Sequence, residues 1–409
     1  MKSGGDGRVL VIGDDMRIFL SVARALGRAG RTVEAFPYGP SPALKSRYVS
    51  RIHAAPVFDE GQAVWNAALL DVLHRENFDL VIPCSDPAII FLDSNRSSLE
   101  HQRLAIPPES AMAVFYDKQQ THDMCDRLGI PMAKSALLTT KDTVDDLITA
   151  YGVPLVLKPR RTFFAGKEQA REIVEIAEDR GQLEKLMATI TDPSRYLVEQ
   201  FFVGDGVGVS VLAQDGKILQ AFQHRRLREG RGGASSYRIS EQVDPALRSA
   251  CMKVLDYTRH SGVCMFEFRK NSSTGRWILI ETNARFWGSM ALPLALGLDY
   301  PNRLFDMMVN GIAGTEMPYA VGIRSRNLML DGLNLLRRIR ALRRGGIGEW
   351  FVDVGDYALQ PLRWLQGTER SDSFVADDLR PAWWEFTALA IKLGNLLRGN
   401  ATGRKIEKA

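Results

Sequence analysis

The chain has 409 residues, 45% of them hydrophobic and 25% charged, with a net charge of +5. That is the makeup of a globular protein of two or three domains, and so small a charge excess gives no argument for nucleic acid. No uncharged apolar run reaches the roughly 18 residues of a membrane-spanning helix, and the N-terminal MKSGGDGR holds no apolar signal core.

Cys84, Cys125, Cys251 and Cys264 are scattered with no C-x-x-C, as in a reducing cytoplasm, and Cys84 and Cys264 lie in apolar runs that predict burial. RVLVIGDD at 8–15 predicts a buried strand and a turn. A helix follows, with Ile18, Phe19, Val22, Ala23 and Leu26 on one face. Further strands are expected at 32–38 and 78–86, with a helix over Gln62–Glu76 between them. Strands alternating with helices imply a parallel α/β sheet. Its first turn offers Gly13 alone in place of G-x-G-x-x-G, which argues against a nicotinamide cofactor. Ser85 and Asp86 follow the carboxyl end of a strand, where open α/β sheets bind ligands; Asp86 could equally cap the next helix.

Residues 116–134 predict a helix stopped by Gly129 and Pro131. A helix over Thr143–Tyr151 precedes the strand PLVLKPR at 154–160. Lys158 inside that strand requires an anionic or carbonyl partner, unless the strand is an edge. RRTFFAGKEQ at 160–169 has a single glycine, with Arg160, Arg161 and Lys167 as charges that could meet phosphate. Residues 195–222 read as a strand, a connector and a hairpin turning at Asp215-Gly216. In QHRRLREGRGGASSYR, 223–238, five arginines surround three glycines. This is either a solvated face or an anion cradle. Tyr237 is the only aromatic beside them, which speaks against single-stranded nucleic acid.

The most informative stretch is 263–289. Two apolar runs, Val263–Phe268 and Trp277–Ile280, flank a polar loop, as in two antiparallel strands. Glu281, Asn283 and Arg285 fall at alternate positions and share one face, and Glu267 interrupts the neighbouring strand. Such a polar face is costly unless it is solvated or holds something. Carboxylate and carboxamide oxygens suit Mg²⁺, and a guanidinium suits phosphate or carboxylate. Residues 289–298 and 301–311 then read as helices. In the tail, NLLRRIRALRR at 334–344 places leucines and an isoleucine on one face and arginines mostly on the other. It either packs on the body or lies on an anionic membrane or a partner.

Taken in order, D-K at 117–118, L-K-P at 157–159, V-E-Q at 198–200, H-R-R at 224–226, F-E-F at 266–268 and E-T-N-A-R at 281–285 resemble the ATP-grasp ligases, in the carboxylate–amine ligase branch related to carbamoyl-phosphate synthase. The resemblance spans about residues 1–312. It implies an α/β and α+β architecture: a parallel-sheet preATP-grasp domain over 1–108 and an ATP-grasp domain over 109–312. The latter has a small lobe at about 130–200 and a large one at about 201–312. A mainly helical extension occupies 313–409. It implies ATP phosphates on Lys118 and Lys158. The rest of the nucleotide falls to Glu199, Gln200, Phe201, Phe202, Val203 and Leu279, with Asp205 at the ribose unless Gly206 occupies that position instead. It implies Mg²⁺, or alternatively Mn²⁺, on Glu267, Glu281 and Asn283, and the reacting carboxylate on Arg285, Arg226 and Arg228. The expected reaction phosphorylates a small carboxylate and joins it to an amine, with no nucleic acid involved. The expected setting is the cytoplasm, with a homodimer and a contact at the inner membrane face through the basic helix as further options. The family's glycine-rich phosphate loop is thin here, which supports the alternative of a phosphotransferase or a non-catalytic nucleotide-binding regulatory protein.

Overall fold

The computed structural model describes residues 7–162, 174–230, 235–341 and 355–397. It begins with β1 (Arg8–Ile12), α1 (Ile18–Arg28), β2 (Thr32–Phe36), β3 (Arg51–Ile52), α2 (Gln62–Arg75), β4 (Leu80–Pro83) and α3 (Asp86–Ser94). The strands form a parallel sheet of order β3-β2-β1-β4. Val9–Ile12 are wholly buried because helices cover both faces: Val9 and Val11 pack towards α1, Leu10 and Ile12 towards α2 and α3. The Asp15 carboxylate starts α1 by accepting from the N–H groups of Arg17, Ile18 and Phe19 at 2.9, 2.6 and 3.1 Å. β3 goes unanticipated from sequence; two exposed residues carry no periodicity.

Next come α4 (Glu109–Phe115) and α5 (Lys118–Leu128). Asp117 caps α5, and Gly129 ends it at φ 62°, as its position after the helix predicts. A second sheet contains β5 (Ser135–Leu137), β6 (Leu155–Pro159), β7 (Glu175–Ala177) and β8 (Tyr196–Gln200) in antiparallel order β5-β8-β6-β7. Helices α6 (Val144–Tyr151) and α7 (Arg180–Thr189) pack on it.

The central sheet starts with β9 (Asp205–Gln214), β10 (Lys217–Glu229) and β11 (Ser235–Glu241). Asp215 and Gly216, at φ 52° and 82°, make the expected tight hairpin between the first two. α8 (Pro245–Thr258), β12 (Gly262–Lys270), β13 (Trp277–Asn283), α9 (Ala291–Ala295) and α10 (Tyr300–Val309) follow. α10 and the Phe286–Trp287 pair join the core of the first sheet, so the two sheets share one apolar cluster.

Sequence anticipates a mainly helical stretch beyond residue 312 and names no strand there. The structure adds two strands, β14 (Arg324–Arg326) and β15 (Glu369–Ser371), to the helices α11 (Leu328–Ala341), Gln360–Leu365 and Arg380–Leu397. They extend the central sheet to the order β13-β12-β9-β10-β11-β14-β15. These strands are three residues each and polar throughout, so no apolar alternation marks them. Buried ion pairs hold them in place. Arg326, with no exposed surface, donates to Glu369 and Asp331 at 2.9 Å each. The chain then crosses to the first sheet, where Arg24 meets Asp378 at 2.9 Å with both side chains buried. Side chains of the basic segment 334–344 are described only up to Leu335, and 342–344 lie outside the described residues. Among the described residues no helix is long and apolar enough to cross a membrane.

Candidate active site

β12 and β13 place Glu267 directly opposite Glu281, and the register slips by one residue immediately beyond them. Such a bulge re-aims side chains at the end of a sheet. Asn283 donates through Nδ2 to Glu281 at 3.0 Å and to Glu267 at 3.3 Å. Arg226, on β10, closes a short ion pair with Glu267. Arg285 forks onto Asp86 at 2.8 and 3.1 Å and reaches Asn283 Oδ1 at 3.4 Å. The expected shared face of Glu281, Asn283 and Arg285 therefore exists, with Glu267 beside it. Asp86 serves as the anchor for Arg285 from the first turn of α3.

Charge on this face is finely set. Burial pushes the Glu267 carboxyl up; Arg226 opposes the rise and Glu281 reinforces it. Burial works against the Arg285 charge, and Asp86 more than restores it, so the guanidinium is held firmly ionised. Two facing carboxylates beside a carboxamide whose flip presents its oxygen form a hard-donor set that fits Mg²⁺.

Opposite this face, one cleft brings Lys118, Lys158 and Thr162 together with Glu281 and Asn283. Lys118 donates to Thr162 Oγ1 at 3.1 Å, and burial pushes its pKa down despite Glu281. Lys158 sits on an interior strand, since β6 lies between β8 and β7. Its anionic partner is Glu199 on β8. Glu199 lies across from Val156 on β6, so Lys158, two residues on, emerges on the same face. Burial resists ionisation of Glu199, yet Lys158, and then His122 at 2.7 Å, hold its carboxyl below the usual range. Met132, Ile280 and Tyr116 supply apolar surface to this cleft, and sequence singled out none of them. The bulge beside Ile280 is what brings it there.

Other candidates fall elsewhere. Gln200, Phe201, Phe202 and Val203 line a second cleft, against Asn271, Thr274 and Arg276. Asp205, at the start of β9, faces Ser272 at 3.3 Å and Arg225 at 3.8 Å. The Leu279 side chain is buried in the core, and its N–H donates to the Pro131 carbonyl at 2.8 Å. Arg228 pairs with Asp356 in the extension and lies 4.8 Å over the Tyr237 ring. Arg160 and Arg161 both grip Asp117, at 2.9 and 3.1 Å. Gly166, Lys167 and Arg231 lie outside the described residues. All four cysteines are buried and free.

Near the same end of the first sheet, Asp14 accepts from the N–H groups of Tyr38 and Gly39 at 3.0 and 2.8 Å. Burial nevertheless pushes its carboxyl up to about 6, with Asp15 adding repulsion. A carboxyl raised in the folded state adds stability at acid pH and loses it as pH rises through that value. Asp14→Asn should therefore stabilise the protein at pH 8, by about 1–3 kcal/mol, with the gain vanishing near pH 4. Denaturant melts at the two pH values check this; equal effects at both would mean Asp14 titrates normally.

Residues 117–299 match the family model for the carbamoyl-phosphate synthase L chain, ATP binding domain. The chain has the ATP-grasp fold. Solved structures with this ATP-grasp fold include an L-amino acid ligase from Bacillus licheniformis, at 19% identity and a TM-score of 0.56, with 75% of each chain covered. Another is the biotin carboxylase domain of the Hydrogenobacter thermophilus 2-oxoglutarate carboxylase, seen with MgADP, ADP and bicarbonate. It matches at 15% identity and a TM-score of 0.60, covering 78% of this chain and 73% of that one. A third is N5-carboxyaminoimidazole synthetase from Staphylococcus aureus with ADP, at 16% identity and a TM-score of 0.58, covering 82% and 86%. Within this fold, the carboxylate face comes from β12 and β13 and the lysines from α5 and β6.

Proposed function

We propose that this chain is an ATP-dependent ligase that phosphorylates a small carboxylate and joins it to an amine, releasing ADP and phosphate. The observation that supports this most is the face of Glu267, Glu281, Asn283 and Arg285 set across a cleft from Lys118 and Lys158 in an ATP-grasp fold. The two lysines bind the nucleotide phosphates. The base is assigned to the segment Gln200–Val203, just past Glu199, and the ribose to Asp205. Glu267, Glu281 and Asn283 hold Mg²⁺ or Mn²⁺, which offsets phosphate charge when bound. Arg285 and Arg226 orient the acid. One of its oxygens takes the γ-phosphoryl group as the bond to the β-phosphate oxygen breaks. The amine nitrogen then attacks the acyl carbon, phosphate leaves, and the amine's proton goes with it. No side chain forms a covalent bond, so catalysis is positioning and electrostatics. Arg228, tied to Asp356, holds the extension against β10 and acts through that placement. The cytoplasm, a homodimer, and a membrane contact through the basic helix belong to the same reading; sedimentation with and without anionic vesicles decides the last two.

The test is ADP and phosphate release from ATP–Mg²⁺ over mixed acids and amines. Both products appearing only with an acid and an amine present supports ligation. ADP without phosphate would point to a phosphotransferase, and no nucleotide binding by the folded protein would end the reading. Lys118→Ala gives a sharper check. Among the described residues its ammonium donates to a threonine hydroxyl alone, and burial disfavours its charge. Its loss should leave the melting midpoint near wild type while weakening ATP–Mg²⁺ binding about tenfold or more by calorimetry. Unchanged affinity would remove Lys118 from the phosphate site.

A further inference from the structure

Arg17, Arg226 and Arg238 come from the turn before α1, from β10 and from β11. Arg226 and Arg238 stand directly opposite each other on neighbouring strands, where like charges repel. Arg238 is wholly buried. Its Nη2 reaches Asp372 at 2.5 Å and Ser325 at 3.4 Å. Among the described residues nothing accepts from its Nε or Nη1. Arg17 donates to the Gly288 carbonyl at 3.1 Å and weakly to the Ser235 carbonyl at 3.4 Å, and it forms no salt bridge among the described residues. Its guanidinium fills the space left by the missing side chain of Gly288, where a Cβ would come within 2.4 Å of it. Burial, and then repulsion from Arg238, weaken its hold on its proton; Asp372 and Asp15 oppose this in part. His224, neutral because burial and the two strand arginines push it well down, has an Nδ1 with no partner among the described residues.

Two buried Arg238 donors without acceptors among the described residues are costly, and the half-buried Arg17 nearby adds a like charge. Asp372 answers Arg238, and Glu267 and Glu229 answer Arg226, which leaves the Arg17 charge and the open donors of Arg238 unmet. A planar or tetrahedral oxyanion satisfies both at once. We propose that Arg17 and Arg238, with Arg226 beside them, form a recognition site for a second oxyanion on the substrate, a carboxylate or phosphate other than the carboxylate that is phosphorylated. This rests on the ligase reading, because Arg226 links the site to Glu267 and so to the reacting group.

The test uses wild type and Arg17→Gln, each saturated with MgADP. They are titrated separately with succinate and with inorganic phosphate at constant ionic strength, and the melting midpoint is read. One anion should raise the wild-type midpoint, and the variant should need about tenfold more of it for the same rise. The anion that works shows whether the recognised group is a carboxylate or a phosphate. No rise in wild type, or equal response of both proteins, overturns the proposal. The MgADP shift is read first on the same samples. Its absence strikes the ligase reading and not this site, since the titrations are repeated without nucleotide. Arg17→Lys, which keeps the charge but loses the fork, replaces the glutamine variant if that does not fold.

Discussion

Glu281→Gln should leave the ligand-free protein within about 1 kcal/mol of wild-type stability while abolishing most of its catalysis. Glutamine keeps an oxygen for the Asn283 Nδ2, so the 3.0 Å hydrogen bond survives. It removes the carboxylate that faces Glu267 and adds to the rise that burial causes there, so the repulsion between the two is relieved. A small gain in stability is therefore the expected sign. With ATP–Mg²⁺ present the order reverses. Wild type at a hundredfold excess of ligand over Kd gains about 2.7 kcal/mol by linkage, and the variant gains much less. Turnover should fall by about two to three orders of magnitude, the usual cost of losing one charge-positioning group. Thermal melts with and without ATP–Mg²⁺, alongside ADP release, give the result. A variant that unfolds without ligand and still shows the full ligand-induced shift would make Glu281 a structural residue.

Asp378→Ala should cost about 3–5 kcal/mol, the largest stability effect expected of a single change here. The Asp378 carboxylate accepts from Arg24 Nε at 2.9 Å, Ser46 Oγ at 2.7 Å and the Arg47 N–H at 3.1 Å, and its side chain is 1% exposed. Removing it strands the Arg24 guanidinium, which burial already disfavours and Asp378 sustains. The loss is the penalty of an uncompensated buried charge more than the net worth of the pair. Arg24→Leu combined with Asp378→Leu should accordingly recover much of it. Urea denaturation of wild type and both variants measures this. A single variant within 1 kcal/mol of wild type would mean that water enters and solvates Arg24.

What sequence could show here follows from the range of its signals. The Glu281–Asn283–Arg285 face was legible because a strand's period of two is a local rule and a polar face is conspicuous in an apolar run. The end of α5 was legible because Gly129 is a local stop signal, whereas its Asp117 cap was not singled out. The partners were not. Arg285 meets Asp86 from 199 residues away, and Arg228 meets Asp356 from 128 away, and no local pattern encodes either pairing. Lys158 could be assigned an anionic partner, but not Glu199 in particular. β14 and β15 stayed hidden because RSR and ERS are stabilised by buried charge pairs, while strand signals rest on apolar alternation. Met132 and Ile280 look like core residues until folding sets them beside the lysines.

The bond between Arg24 and Asp378 joins residues 354 positions apart, which matters while the chain is being made. At ordinary elongation rates about 20–70 s separate the appearance of the two residues from the ribosome. During that interval β1, α1 and β2 can pair through contacts close in sequence, yet α1 must keep turned to water a guanidinium that ends up sealed. The first sheet can therefore pair early, but the Arg24 side of α1 is sealed only once residue 378 has been made. Synthesis order thus makes the C-terminal segment the closing step for the N-terminal one. A release from translation that stops short of residue 378 yields a chain whose defect lies at its beginning.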